Sequence, residues 1–330
     1  MFLRKIKNAL SNIGGSGSSM EMLYYRLKYG LASFLGFIWS EEHYAKWFYH
    51  LYTGKDLDLD NPKTFDQKLW WLKLNNRDPK LTQCSDKIAV REYVKECGYE
   101  DILIPQLDTF TSTKDLDFLK YNVEIVAKCN HNSGGHVFYN PKNPLSKKEI
   151  GTAKKRLKFI LKRNASVLSR EWNYKNISPK IVVEEVIRTK SGELPLDYKF
   201  MCFNGEPKML FLDLGVINPD SSYNHDYPRN IYDMDFNLLP VFETRPNADF
   251  PVEKPENFEK MVEIARTLSQ PFAHCRVDLY NVDGKIYFGE ITFYHGGGCN
   301  KIEPEEWDLR MGKWIDINNP KIVMKSKKQK

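Results

Sequence analysis

No uninterrupted apolar run near the start of this sequence approaches the roughly 18 residues that a membrane span needs. The longest there, Leu31 to Trp39, is broken by Ser33 and Gly36. A transmembrane helix and a secretory signal are therefore not expected. Cysteine is sparse: Cys84, Cys97, Cys129, Cys202, Cys275 and Cys299 are scattered without a Cys-x-x-Cys pair. That argues against zinc fingers and a disulfide framework, and for small buried side chains in a reducing compartment. A strong charge of one sign is also lacking. The 49 basic and 43 acidic residues leave a net +6, which alone does not specify nucleic acid. No internal repeat is visible.

What is present is a composition of 42% hydrophobic and 28% charged residues over 330 positions, that of a globular protein of one large or two ordinary domains. Phe2, Ile6, Leu10 and Ile13 recur at helical spacing with Arg4, Lys5 and Lys7 between them. The pattern fits a basic amphipathic helix, packed on its own protein or lying on a membrane surface. Gly14 to Ser19 has the composition of a flexible linker. An aromatic-rich helical stretch is expected from Met20 to about Leu51, ending near Gly54, and another apolar face from Phe65 to Leu74. A helix over 84–97, capped by Ser85 and stopped by Gly98, follows. Short apolar runs at Ile102–Ile104, Val123–Ala127, Ile181–Val183, Met209–Leu212 and Val277–Leu279 predict strands, with helices at Lys154–Arg163 and Asn257–Leu268.

The most informative stretch runs from Arg276 to Thr292. Asp283-Gly284 is a hairpin signal. An odd-numbered loop, 283–285, sets Asp278 opposite Glu290 and Arg276 opposite Thr292, with all four on one face and Val277, Leu279, Tyr287, Gly289 and Ile291 on the other. A two-residue loop breaks that register. Facing carboxylates repel unless a cation lies between them, so this pattern suits a divalent metal such as Mg²⁺, with Arg276 beside it for an anion. The plain alternative is a solvated surface hairpin. Gly296 and Gly297 in Tyr294-His295-Gly296-Gly297-Gly298 permit close approach of a ligand, or simply form a turn.

A second cluster ends a strand with Lys128 and continues into Asn132-Ser133-Gly134-Gly135, whose amides can wrap phosphate oxygens. The Gly-Lys-Ser/Thr order of a Walker loop is missing. A third sets Glu184 and Glu185 at the end of an apolar strand. Lys199, in Asp197-Tyr198-Lys199-Phe200, is a further phosphate partner or a surface lysine.

The order of these pieces resembles the ATP-grasp superfamily. Cys84-Ser85-Asp86-Lys87, Lys128 to Gly135, Asp197 to Phe200, Phe203-Asn204-Gly205-Glu206-Pro207, Gly289 to Thr292 and Pro304-Glu305-Glu306-Trp307-Asp308 are similar to the TupA-like ATP-grasp family of teichuronopeptide and capsule biosynthesis, over about residues 60–317. The resemblance implies an α+β protein with two α+β lobes clasping ATP, preceded by a helical region. Its expected parts are 1–19, a basic segment and linker; 20–120, helical; 121–190, the small lobe with its phosphate lid; 191–318, the catalytic lobe; and 319–330, a basic tail.

It further implies that Lys128 and Lys199 contact phosphates, that Asn132, Ser133, Gly134 and Gly135 cover them, and that Glu184 and Glu185 serve adenine and ribose in an order left open. Asp278 and Glu290 would ligate Mg²⁺. Thr292 stands where most ATP-grasp enzymes have asparagine, which bears on a second metal ion. The implied reaction is carboxylate–amine ligation through an acyl phosphate, with Arg276 and Lys199 as catalytic groups. Arg170, Arg229 and Asn230 are candidate substrate contacts, and the substrates expected are a carbohydrate carboxylate and an amine. A cytoplasmic location follows, with peripheral membrane contact through the N-terminal segment as an open option, and no nucleic-acid partner is expected.

Two other classes compete. Asp233-Met234-Asp235 has the Asp-x-Asp spacing of nucleotide-sugar glycosyltransferases, although Asp56, Asp58 and Asp60 repeat it in a loop-like context. The basic run Lys154 to Arg163 fits an RNA- or membrane-binding protein, or the solvated face of an amphipathic helix. A kinase lacks its His-Arg-Asp and Asp-Phe-Gly signatures here.

Overall fold

The computed structural model describes residues 19–132, 134–216, 224 and 226–326. The segment 1–18, Ser133 of the expected phosphate lid and the tail residues 327–330 lie outside the described residues. In chain order the helices and strands are α1 (Ser19–Ile38), α2 (Glu41–Thr53), α3 (Phe65–Asn75), α4 (Pro79–Ser85), α5 (Val90–Glu96), β1 (Gln106–Phe110), β2 (Ile125–Cys129), β3 (Val137–Tyr139), α6 (Lys147–Leu161), α7 (Ala165–Ser169) and β4 (Ile181–Glu185). They continue with β5 (Asp197–Phe203), β6 (Glu206–Asp213), β7 (Arg229–Tyr232), β8 (Phe242–Glu243), α8 (Phe258–Ser269), β9 (His274–Val282), β10 (Lys285–Thr292), β11 (Ile302–Glu303) and α9 (Glu305–Trp314).

Contacts divide the chain into two compact units, one of the residues up to Leu57 with Pro105–Val186, the other of Asp58–Ile104 with Ile187–Lys330. This differs from the division expected at 120, 190 and 318. Residues 58–104 join the second unit because α3 is tied to its C-terminal part: Asp308 Oδ1 accepts from the Phe65 amide at 2.9 Å, and Trp70 Nε1 donates to Gly298 O at 2.8 Å.

The first unit carries a four-stranded antiparallel sheet ordered β1-β4-β2-β3. Ile125, Ala127 and Cys129 alternate inward from β2, and with Ile181, Val183, Leu116 and Phe118 they pack against Leu157 and Ile160 of α6. A capping box starts α6: Ser146 Oγ accepts from the Glu149 amide and Glu149 Oε2 from the Ser146 amide. The helical stretch expected from Met20 to about Leu51 holds two helices, α1 and α2. Ser40 accepts from His43 N and starts α2, which Gly54 ends at φ 71°.

The second unit is built on a five-stranded antiparallel sheet ordered β10-β9-β5-β6-β7. One face, with Phe200, Cys202, Leu210, Leu212, Val277 and Leu279, is covered by Phe258, Met261, Ala265 and Leu268 of α8. The opposite face is charged. The helix expected over 84–97 with Ser85 as its cap begins only at Val90, as α5: Ser85 ends α4 with its hydroxyl donating back to Leu81 O, and Asp86 turns the chain by accepting from the Ile88 amide. The strand expected at Ile102–Ile104 is instead a single 3₁₀ turn over Glu100–Ile102 with an extended exit, and β1 begins only after Pro105.

The β9–β10 hairpin reaches the expected pairs of Asp278 with Glu290 and Arg276 with Thr292 by a different route from the three-residue loop expected. The loop has two residues, Asp283 at φ 51° and Gly284 at φ 86°, both left-handed as a type I′ turn demands. That loop pairs Lys285 with Val282 and Tyr287 with Tyr280, which turns Tyr287 to the charged face rather than the core face expected. A bulge at Gly289 then shifts the ladder by one residue, and Asp278 pairs with Glu290 and Arg276 with Thr292. A Cβ on Gly289 would lie 2.9 Å from Asp278 O, which explains a glycine at the bulge.

Candidate functional site

Alternation along the strands of the second unit puts Asp197 and Lys199 (β5), Asp213 (β6), Arg229 (β7), Arg276 and Asp278 (β9) and Glu290 and Thr292 (β10) on one face. Their side chains, with Glu243 and His295, close a ring. Lys199 Nζ lies 3.3 Å from Asp213 Oδ2 and 3.9 Å from Asp278 Oδ2, and it also bonds Asp197. Asp213 receives Arg229 Nε and Nη2, at 2.5 and 2.9 Å, and Arg229 Nη1 bonds Glu243. Glu243 Oε2 is 3.8 Å from His295 Nε2, and His295 Nδ1 is 2.8 Å from Arg276 Nη1. Arg276 completes the circuit with two bonds of 2.6 Å to Asp278 and reaches Glu290 Oε1 at 3.0 Å.

Burial sets the electrostatics. It pushes Lys199 down, but Asp197, Asp278 and Asp213 outweigh it and raise the ammonium above its ordinary value. Burial would raise Asp213, yet Lys199 and Arg229 hold it well below the carboxylate range. The same contest leaves Glu243 at about 2, because His295 and Arg229 outweigh its desolvation. Glu290 keeps more solvent contact; its desolvation is overcome by Lys87, 4.0 Å away, and by Arg276, which hold it at about 2. All these carboxylates are better paired than solvated, so none is idle surface charge.

In the first unit, Lys128 Nζ is 2.6 Å from Glu184 Oε2. The register places Lys128 opposite Val182 and Glu184 opposite Val126, so both share a face, whereas Glu185 pairs with Ile125 and faces the other way. The loop after β2 is anchored from beneath. Asn132 Nδ2 donates to Arg163 O at 3.0 Å and His131 Nε2 lies 2.8 Å from the same carbonyl, at the end of α6. Gly134 and Gly135 follow at φ 74° and 76°, and a Cβ on Gly135 would lie 2.0 Å from Ile160 Cδ1. The buried side-chain amide of Asn132, the first residue of the loop expected over phosphates, fixes that loop to the end of α6.

Other expected contacts are spent within the fold. Arg170 stacks its guanidinium 3.8 Å from the Tyr44 ring centroid and donates to Val167 O. Asn230 lies on the sheet face opposite Arg229, where its amide donates to the Tyr232 hydroxyl and accepts from the Ala248 amide. The close backbone approach expected at Gly296 and Gly297 is made by protein: Gly297 O accepts from Lys73 Nζ at 2.5 Å, and a Cβ on Gly296 would meet Asn300 Oδ1 at 1.9 Å. Asp233 Oδ1 accepts from the amides of Asp235 and Asn237, so the Asp-x-Asp closes a turn. The basic run forms the partly solvated face of α6, whose Ala153, Leu157 and Ile160 are buried.

Sequence reasoning assigned no role to Lys87, Asp197, Asp213, Glu243 or His295. Asp197 was findable, since the i, i+2 spacing to Lys199 puts both on one strand face. Asp213 ends the apolar run of β6 on that same face. Glu243 sits in a two-residue strand and had no periodic signal.

The donor set fits a hard divalent cation. Asp278, Glu290 and Thr292 present oxygens side by side, and Thr292 Oγ1 is 3.0 Å from Glu290 Oε1. The five acids Asp197, Asp213, Glu243, Asp278 and Glu290 face four cations, Lys87, Lys199, Arg229 and Arg276, and among the acids burial lifts Asp278 to about 7 against the pull of Arg276 and Lys199. Among the described residues no three His, Cys, Asp or Glu side chains converge as a ready metal cluster. Such a set suits Mg²⁺, which keeps waters and binds through one or two carboxylates together with substrate phosphates.

The chain belongs to the TupA-like ATP-grasp family, whose model matches residues 67–316, and its fold is the ATP-grasp fold. Among solved structures it is similar to the D-alanine–D-alanine ligase of Helicobacter pylori, with 14% identity and a TM-score of 0.42, covering 79% of this chain and 69% of that one. It is also similar to an L-amino acid ligase of Bacillus licheniformis (16% identity, TM-score 0.41, covering 66% of this chain and 44% of that one). The D-alanine–D-alanine ligase of Bacillus anthracis gives 16% identity and a TM-score of 0.37, with 67% of this chain covering 60% of that one. The chain thus spans less than two thirds of the length of two of these three ligases. No curated protein matches it.

Proposed function

We propose that this chain is an ATP-dependent carboxylate–amine ligase. In the proposed reaction a substrate carboxylate attacks the γ-phosphorus of ATP, and ADP leaves. The amine then attacks the acyl carbon, loses a proton, and phosphate leaves. The substrate we favour is a uronic acid of a capsular or cell-surface polysaccharide, with an amino acid or an amino sugar as the amine. Because ATP is consumed, the proposed location is the cytoplasm; the reading calls for no nucleic-acid partner.

The observation that carries this reading is the gathering of buried Lys199, Arg276 and Asp278 with the half-buried Glu290 into one network on the sheet face opposite the core. Phosphoryl transfer requires little covalent help from a protein and much positioning of charge. Lys199 would neutralise phosphate oxygens, as would Lys128, beside Glu184. Arg276, held by Asp278 and His295, would stabilise negative charge on the acyl phosphate and the tetrahedral adduct. Asp278 and Glu290, with Thr292, would hold Mg²⁺, which supplies charge neutralisation on the nucleotide phosphates. Gly134 and Gly135 offer backbone amides without side chains in the way.

The test is calorimetric titration of ATP with Mg²⁺ into the wild type and Glu290→Ala, with UDP-sugars in parallel. Mg²⁺-dependent ATP binding lost in the variant is expected, followed by phosphate release that needs both a uronic acid and an amine. UDP-sugar binding without ATP binding would overturn the ligase.

A further inference from the structure

Surface helices turn charge outward and apolar residues inward. The first described helix does the reverse over part of its surface. Met20, Leu23, Leu27, Leu31, Phe34 and Ile38 of α1 recur every three or four residues and are all exposed, and Phe37 beside them is 89% exposed. The inner side of the helix is already occupied: Ala32 and Leu35 are buried, Tyr25 lies under the Arg163 guanidinium at 4.2 Å, and a Cβ on Gly36 would lie 2.2 Å from Arg170 Nη2. The outward stripe therefore has no core of its own unit to enter. At 1.5 Å per residue it runs for roughly 27 Å.

Charge says what covers it. Residues 1–40 of the sequence hold Arg4, Lys5, Lys7, Arg26 and Lys28 against Glu21 alone, a net +4 of the chain's +6, and Arg26 and Lys28 lie on α1 itself. Tyr24 lies half-buried beside the stripe and Trp39 follows its end, side chains that combine an apolar ring with a polar edge. An apolar stripe flanked by cations and interfacial aromatics complements a bilayer with anionic headgroups. Among the described residues no helix is long and apolar enough to cross a membrane, so the arrangement is one of lying on the surface.

We infer that α1 docks the protein on an anionic lipid surface, its stripe from Met20 to Ile38 entering the boundary between headgroups and acyl chains. This is independent of the ligase reading and places the membrane contact on the described helix rather than on residues 1–13.

The test uses the full chain and vesicles of phosphatidylcholine, with and without one quarter phosphatidylglycerol. The wild type is expected to sediment with the anionic vesicles, at least tenfold less in the double variant Leu27→Glu, Phe34→Glu, and less at raised salt. Because both side chains already face solvent, the thermal midpoint should not move; if it does, Phe37→Glu alone serves as the second variant. Equal sedimentation with neutral vesicles, no sedimentation of the wild type, or an unaffected variant would overturn the inference. So would a concentration-dependent dimer abolished by the same substitutions without lipid binding, which would give the stripe to a second copy of the chain.

Discussion

Arg276 Nη1 donates to His295 Nδ1 over 2.8 Å, and this one bond fixes the state of the histidine. A guanidinium has no acceptor, so Nδ1 must offer its lone pair and the ring proton sits on Nε2, toward Glu243 Oε2 at 3.8 Å. A doubly protonated ring would set N–H against N–H. Burial, opposed by Glu243 and aided by Arg276, lowers the ring pKa to about 4.

His295 is accordingly expected to remain a neutral Nε2–H tautomer well below neutral pH. Histidine-selective ¹⁵N spectra should show that tautomer at pH 7 and no change of the ring down to pH 5; titration near 6.5 would refute it. His295→Phe strands an Arg276 donor in a buried site and should lower stability by about 1–3 kcal/mol. His295→Asn, which keeps an acceptor, should restore part of the loss.

Lys199 is the common counterion of Asp197, Asp213 and Asp278. Its removal leaves like charges facing one another beneath a nearly closed surface. Lys199→Met should lower the stability measured in urea by about 3–5 kcal/mol, the usual cost of breaking a buried pair from one side. A loss below about 1 kcal/mol would mean that the acids are protonated or hydrated rather than paired.

The register of Glu290 hangs on Gly289. A valine there would press its Cβ against the Asp278 carbonyl, 2.9 Å away, and force the bulge to move. Gly289→Val should cost about 1–3 kcal/mol as an overpacking change. It should weaken Mg²⁺-ATP binding more than Ile286→Val does, since Ile286 is remote from the carboxylates. Equal effects of the two variants would show that the bulge does not position Glu290.

How far the sequence reaches is visible at this same hairpin. Arg276, Asp278, Glu290 and Thr292 could be placed together from alternation, but the route assumed a three-residue loop. The actual pairing combines a two-residue turn with a bulge, and a bulge leaves no periodic trace beyond one glycine in a strand. Lys128 was readable because it follows a short apolar run, and Lys199 through the resemblance carried by Asp197 to Phe200. The side chains of Asn132, Asn230 and Arg170 bond within the fold, and polar side chains that satisfy buried carbonyls and amides resemble binding groups in one dimension. Glu243 and His295 enter the ring only through tertiary packing, which no local pattern encodes.

His274 supplies the pH dependence that stability should show. Its Nδ1 lies 2.9 Å from Cys202 O, so that nitrogen carries the proton, and the ring is packed between Phe65 and Phe203. Burial is the chief cause that drops its pKa from 6.5 to about 3, against the pull of the Cys202 carbonyl. The unfolded chain therefore takes up a proton below about 6.5 that the folded chain refuses until about 3. The stabilisation is complete above 6.5 and is lost as pH falls toward 3, at up to about 1.4 kcal/mol per unit. Between neutral pH and pH 5 the loss from this residue should be about 2 kcal/mol. His274→Asn keeps a donor for Cys202 O and cannot titrate, so its urea midpoint should fall less between pH 7 and pH 5 than that of the wild type. Lost ring packing lowers both of its midpoints equally and leaves that difference intact. Parallel acid limbs in the two proteins would show that His274 is protonated in the folded state.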